Sequence, residues 1–143
     1  MDNGLEILGE PECLQLLEQS QVGRVATVRD GIATVLPVTY AVVGGDITFF
    51  TGDGLKLDAA RGEEPVSFEV DHIDVPGQWG WSVLVVGRAS LAGPLLRSRA
   101  EALGLYPWAA GDRPHLVRIR PTSISGRRVL TGRERELPQV APR

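Results

Sequence analysis

A chain of 143 residues, 43% hydrophobic and 23% charged, has the size and make-up of one globular domain with a core of its own. Its net charge of −3 argues against a nucleic-acid binder, which carries a basic balance or a basic stripe. A single cysteine, Cys13, excludes an intrachain disulfide and fits a reducing cytoplasm.

The first residues, MDNGLEILGEPE, are acidic and lack a basic stretch followed by an apolar one, so they do not read as a signal peptide. No apolar run approaches the roughly 18 residues of a membrane span; Val83 to Val86 is strand-sized. Pro11 to Gln19 is predicted as a short helix, with proline in the first turn where its missing N–H costs nothing. Cys13, Leu14, Leu16 and Leu17 form its apolar side. Val22 to Val28 reads as a strand, closed by the hairpin turn Asp30-Gly31, where both positions tolerate positive φ. Ile32 to Val43 reads as one long strand, with Pro37 restricted to an edge or bulge because it removes a ladder donor. Gly44-Gly45-Asp46 turns the chain into a third strand, Ile47 to Thr51. Leu55 to Arg61 is a helical turn or two, capped by Gly62. Pro65 to Val70 alternates as a fourth strand, and Asp71 to Gly80 reads as a loop. Trp81 to Leu91 is a fifth strand, apolar on both faces, with Val83 and Val85 on one and Leu84 and Val86 on the other. Such a strand is covered on both sides, so its outer face calls for a helix or a second subunit. Gly93-Pro94 opens a helix to about Leu105, with Leu96, Ala100 and Leu103 on one face. Leu116 to Arg120 is a sixth strand, dry on the Val117 and Ile119 side and charged on the Arg118 and Arg120 side. About six strands, tight turns and few helices predict a mainly β fold, a β-barrel with short helices. Residues 1–131 are expected to form the domain and 132–143 a polar, frayed tail.

Cys13, His72 and His115 are far apart and have no metal-site spacing, so no metal centre is expected. Neither a G-x-S-x-G elbow nor a Walker loop is present. The arginine-rich stretch from Arg113 to Arg135 is either a solvated edge and tail or a grip on an anionic ligand. Thr51-Gly52-Asp53-Gly54-Leu55-Lys56 is the leading site candidate. A hydroxyl, a glycine-rich turn and a lysine at a helix start suit a phosphate monoester. The same residues would serve equally as a plain β-to-α connection with an exposed lysine.

An ordered set of short pieces bears on that choice. They are Val22-Gly23-Arg24-Val25-Ala26, Leu36-Pro37-Val38-Thr39-Tyr40, Phe49-Phe50-Thr51 with Lys56-Leu57, and Gly80-Trp81-Ser82-Val83 with Val86-Gly87-Arg88-Ala89. Tyr106-Pro107-Trp108 and Ile124-Ser125-Gly126-Arg127-Arg128 complete it. In these pieces the chain resembles the pyridoxamine 5′-phosphate oxidase-like family of FMN-binding split β-barrels, in its small actinobacterial-type branch. The resemblance implies a flavin ring laid along Pro37, Val38, Thr39 and Tyr40 and bound largely by backbone groups. It implies a phosphate at Thr51 and Lys56, with Leu57 and Trp81 also at the cofactor and Ser82 against the ring or ribityl chain. Trp108 and Arg127 would reach the ligand of the other subunit of an obligate homodimer.

Two departures stand out. No histidine accompanies Arg127-Arg128, and position 55, beside Lys56, is leucine rather than a basic residue. Both argue against pyridoxamine phosphate as the substrate. The implied activity is an FMN-dependent oxidoreductase with a small-molecule electron donor or acceptor, no nucleic acid and no membrane. A deazaflavin could replace FMN. The alternative is a dimeric barrel that binds a flavin, deazaflavin or haem-like tetrapyrrole without turnover. No side chain stands out as a general acid or base.

Overall fold

Asp30, at φ 53°, and Gly31, at φ 76°, close the first hairpin of the computed structural model, which describes residues 4–107 and 115–130. Upstream lie β1 (Leu5–Leu8) and α1 (Glu10–Gln19), the latter with Pro11 in its first turn. The hairpin joins β2 (Val22–Arg29) to β3 (Ile32–Thr39). Then come β4 (Ala41–Val43), β5 (Asp46–Thr51), α2 (Leu55–Arg61), β6 (Pro65–Asp74), β7 (Trp79–Leu91), α3 (Pro94–Ala102) and β8 (His115–Val129). The pairings are antiparallel, in the order β3-β2-β6-β7-β8-β5-β4, with β1 added to β8. Because β4 follows β3 directly, the two ends of this curled sheet are joined through Tyr40. The result is a mainly β, split β-barrel with three short helices among the described residues.

One face of the sheet closes on a core of Val25, Phe68, Val83, Val85, Val117 and Ile119, all nearly or fully buried. Cys13, Leu16 and Leu17 of α1 and Ala59 and Ala60 of α2 pack into the same core. Gly23 makes room for the Phe68 ring, because a Cβ there would lie 2.2 Å from its Cζ. A smaller cluster of Val43, Ala100, Leu105 and Leu116 seats α3.

Several expectations need correction. The predicted strand Ile32 to Val43 is two strands, broken at Tyr40, whose N–H donates to Gln21 O at 3.0 Å and turns the chain from β2 toward β5. Pro37 does lie on an edge strand. Asp71 to Gly80 is not a loop. The β6–β7 hairpin pairs through to Asp74 and Trp79, and its tight turn is held by Gly77 N donating to Asp74 Oδ1 at 2.7 Å. The last strand does not end at Arg120 but runs from His115 on to Val129. Pro121 is accommodated by a bulge opposite Val86 and Gly87, where Thr122 donates its hydroxyl to Val86 O at 2.9 Å. In α3 the helix ends at Ala102, and Leu103 is exposed; Gly104, at φ 89°, turns the chain so that Leu105 packs instead. β1 was not foreseen. No described helix is long and apolar enough to cross a membrane. The expected tail, 132–143, lies outside the described residues.

Candidate functional site

β3 ends the hydrogen-bonded order of the sheet, so one edge of its backbone has no strand partner among the described residues. It approaches β5 without pairing to it. A split therefore opens from Tyr40, where β3 pairs with β2 and β4 pairs with β5. Leu36 shows that the wall is open there. Its Cα partner is Val25, so both face the barrel interior. Val25 is 2% exposed and Leu36 is 39% exposed.

The four residues of β3 and its break divide by face. Pro37 and Thr39 point outward, whereas Val38 and Tyr40 point in and are buried. The Tyr40 hydroxyl donates to Leu17 O at 2.5 Å, and its ring meets Phe68 edge-on, with centroids 4.8 Å apart. Burial pushes the phenol well above its ordinary pKa. Its side chain is thus committed to α1 and the core. Thr39 and Tyr40 also line a cleft of about 460 Å³, with Ser20, Val22, Leu103 and Tyr106 around it.

Thr51 ends β5, opposite His115, with its hydroxyl donating to Gly52 O at 3.1 Å. Gly54, at φ 138°, swings the chain into α2, where Lys56 is half-buried and Leu57 fully buried. Lys56 is accordingly less exposed than a free surface lysine, and Leu57 could meet a ligand only through its backbone.

Ser82 and Arg127 are Cα partners on the outer face of β7 and β8. Arg24 is the partner of both Pro37 and Glu69, which brings Pro37 onto the same face. Trp81 points the other way, 4% exposed, with an indole N–H that has no acceptor among the described residues. Arg128 likewise turns inward and is bound by Glu6 Oε1 at 3.0 Å and Glu12 Oε2 at 2.9 Å. The structure thus gives the two arginines separate work: Arg128 ties β1 and α1 to β8, and Arg127 faces out. Trp108 lies outside the described residues.

That outer face holds a charged group the sequence reading missed. Arg24 lies 3.7 Å from Glu69 and 3.5 Å from Asp71. Burial first, then a hydrogen bond and charge from Asp71, push the Glu69 carboxyl up to about 7 against the pull of Arg24. Strand alternation placed Glu69 on a polar side, but only the β2–β6 register reveals the arginine opposite it. Ile7, Val28, Val35, Ile73, Leu84 and Val129, all exposed, surround this row on the same face. Among the described residues, no group of His, Cys, Asp and Glu could hold a metal ion.

Comparison with known proteins places this architecture. The family profile described as pyridoxamine 5′-phosphate oxidase matches residues 9–128. An uncharacterised protein of Mycobacterium tuberculosis is 30% identical over 129 residues, covering 86% of this chain and 84% of its own. The solved FAD-binding protein of Mycobacterium smegmatis is 36% identical, with a TM-score of 0.76, and the match covers 89% of this chain and all of that one. A solved FAD-binding protein of Mesorhizobium loti is 28% identical, with a TM-score of 0.76, over 89% of this chain and 98% of that one. A matched profile spanning most of the chain, over the same split barrel, means that this protein belongs to the pyridoxamine 5′-phosphate oxidase family.

Proposed function

We propose that this chain is a flavin-dependent oxidoreductase that binds FMN and works as a homodimer. The observation that carries this reading is the unpaired edge of β3 beside an open split. Free backbone donors and acceptors on a rigid strand suit the hydrogen-bonding rim of a flavin ring. The ends of β5 and α2 add Thr51 and Lys56 for the phosphate, a hydroxyl and a point charge. The two solved relatives named above are described as FAD-binding. FMN is the ring, ribityl and phosphate half of FAD, and the proposal concerns that shared half. A bound flavin would supply the electron or hydride chemistry. The chain's own part would be to hold the ring along β3, anchor the phosphate and shield one side from water. Arg127 would serve the second subunit's ligand, with a planar fork able to bond or stack.

The dimer reading rests on the outer face, where among the described residues Leu84 stays 43% exposed and Val86 half-buried. Large exposed apolar patches mark interaction sites, and obligate interfaces bury upwards of about 2,000 Å². A patch holding Arg24 and Arg127 beside Glu69 and Asp71 carries both signs, as a surface that meets its own copy across a two-fold axis requires.

A second reading keeps the ligand and drops the turnover. It is favoured by Tyr40, the ionisable side chain at the β3 break, being locked to Leu17. Purified protein is expected to be yellow, to release FMN on denaturation as identified by mass spectrometry, and to be reduced by a nicotinamide nucleotide. A colourless protein that takes up no FMN would sink both readings. Bound flavin that no donor reduces would favour the second. Released deazaflavin or tetrapyrrole would replace the cofactor.

A further inference from the structure

β6 sets Glu69 and Asp71 two residues apart, hence on one face. Among the described residues one cation, Arg24 of β2, stands beside them, within 3.7 Å of the first and 3.5 Å of the second. The other neighbours are neutral. Ser67 precedes the pair on β6, Leu84 and Ser82 of β7 lie opposite Glu69 and Asp71, and Pro37 of β3 lies behind Arg24. Arg127 of β8 is one strand farther, beyond Ser82. The group therefore has one carboxylate more than the single guanidinium within 4 Å of it, with Leu84, Ile73 and Val129 exposed on the same face.

We propose that association of two chains through this face is proton-linked: closing it takes up one proton per chain onto the Glu69–Asp71 pair, so association weakens as pH rises through neutrality. The inference rests on the homodimer reading above. A second copy brings one Arg24 and two carboxylates of its own, and Arg127 is engaged by the ligand in the reading above, so the excess persists as the face closes. Burying an unpaired charge costs far more than taking up a proton near neutral pH. Partial burial in the single chain already raises Glu69 from 4.5 to about 7. An acid with a raised pKa holds its proton more tightly in the covered state, so covering it further draws protons from solution. The dissociation constant then climbs with pH, with a slope of up to two protons per dimer.

The test is fluorescence-detected sedimentation of the full chain at about pH 6 and about pH 8.5, at fixed salt. The dissociation constant of the wild type is expected to rise at least about ten-fold between them. Glu69→Gln should hold the tight, low-pH value at both. Asp71→Asn, which leaves one carboxylate against one guanidinium, should also flatten the dependence. A wild-type dimer with equal affinity at both pH values, or a tighter one at the higher pH, overturns the proton linkage but leaves the dimer standing. So does Glu69→Gln retaining the wild-type slope. A wild type that is monomeric at both removes the dimer itself.

Discussion

The two faces of β6, β7 and β8 are built from alternate residues of the same strands, yet they reach opposite ends. Inward, Phe68, Val83, Val85, Val117 and Ile119 are 0% exposed, and the buried charge of Arg128 is held by two glutamates. Outward, Leu84, Ile73 and Val129 are exposed at 43%, 60% and 46%, around a charged group with one carboxylate too many. The inner face is complete within one chain. The outer face sets exposed apolar side chains around that charged group, and the homodimer proposed above would resolve this contrast.

The largest expected effect is therefore on the inner side. Phe68 is fully buried, sits in the space left by Gly23 and meets Tyr40 edge-on. Phe68→Ala should cost about 3–5 kcal/mol of stability, from lost transfer energy and an unfilled cavity. Chemical denaturation reads this directly. A loss under about 1 kcal/mol would mean that the barrel collapses around the gap and that its interior is softer than this packing implies.

The arginine pair sharpens the comparison, because the two adjacent residues lie on opposite faces. Arg128→Ala removes two charge-assisted bonds, but Glu6 and Glu12 are 54% and 42% exposed and can return to water. A loss of about 1–2 kcal/mol is expected, with no direct effect on ligand. Arg127→Ala should leave the denaturation midpoint unchanged and weaken flavin binding several-fold. If Arg127→Ala binds FMN as wild type does, the cross-subunit contact is absent. Lys56→Ala should weaken FMN binding about ten-fold, in keeping with one lost charge-assisted contact, and Thr51→Val should act more weakly in the same direction. Unchanged affinity in a fluorescence titration would move the phosphate elsewhere.

Much of this frame was legible from the chain alone, for local reasons. Asp30-Gly31 and Gly44-Gly45 need left-handed backbone, so the hairpins declared themselves, and α2 has the predicted bounds, Leu55 to Arg61. What failed depended on neighbours. From Pro121 to Gly126 the last strand is broken by Pro121, Ser123, Ser125 and Gly126, weak strand formers held in place by pairing with β7. β1 is four residues long, too short for its alternation to register, and exists by pairing with that same extension. The site behaved likewise. Thr51 and Lys56 could be singled out as candidates because they are close in sequence. Arg24, Glu69 and Asp71 were missed because alternation names a face, and only register says who stands opposite.

The smallest change to the fold should be the most telling about the outer face. Leu84 and Val85 are consecutive on β7, one 43% exposed and the other 0%. Lysine at position 85 would put an unpaired charge inside the barrel, and that variant is not expected to fold. Lysine at position 84 keeps its ammonium in water, with its stem along the neighbouring Val86. Leu84→Lys should therefore change the stability of the single chain by no more than about 0.5 kcal/mol. Its effect should appear in mass instead. Glu69, directly opposite on β6, can take up the charge, but two such faces would have to pack two longer lysine side chains where two leucines met, which holds the chains apart. The variant should sediment at half the mass of the wild type at micromolar concentration, with native circular dichroism. If it instead remains dimeric with wild-type affinity, the outer face of β7 is not where copies meet. The apolar content of that face would then need a different occupant.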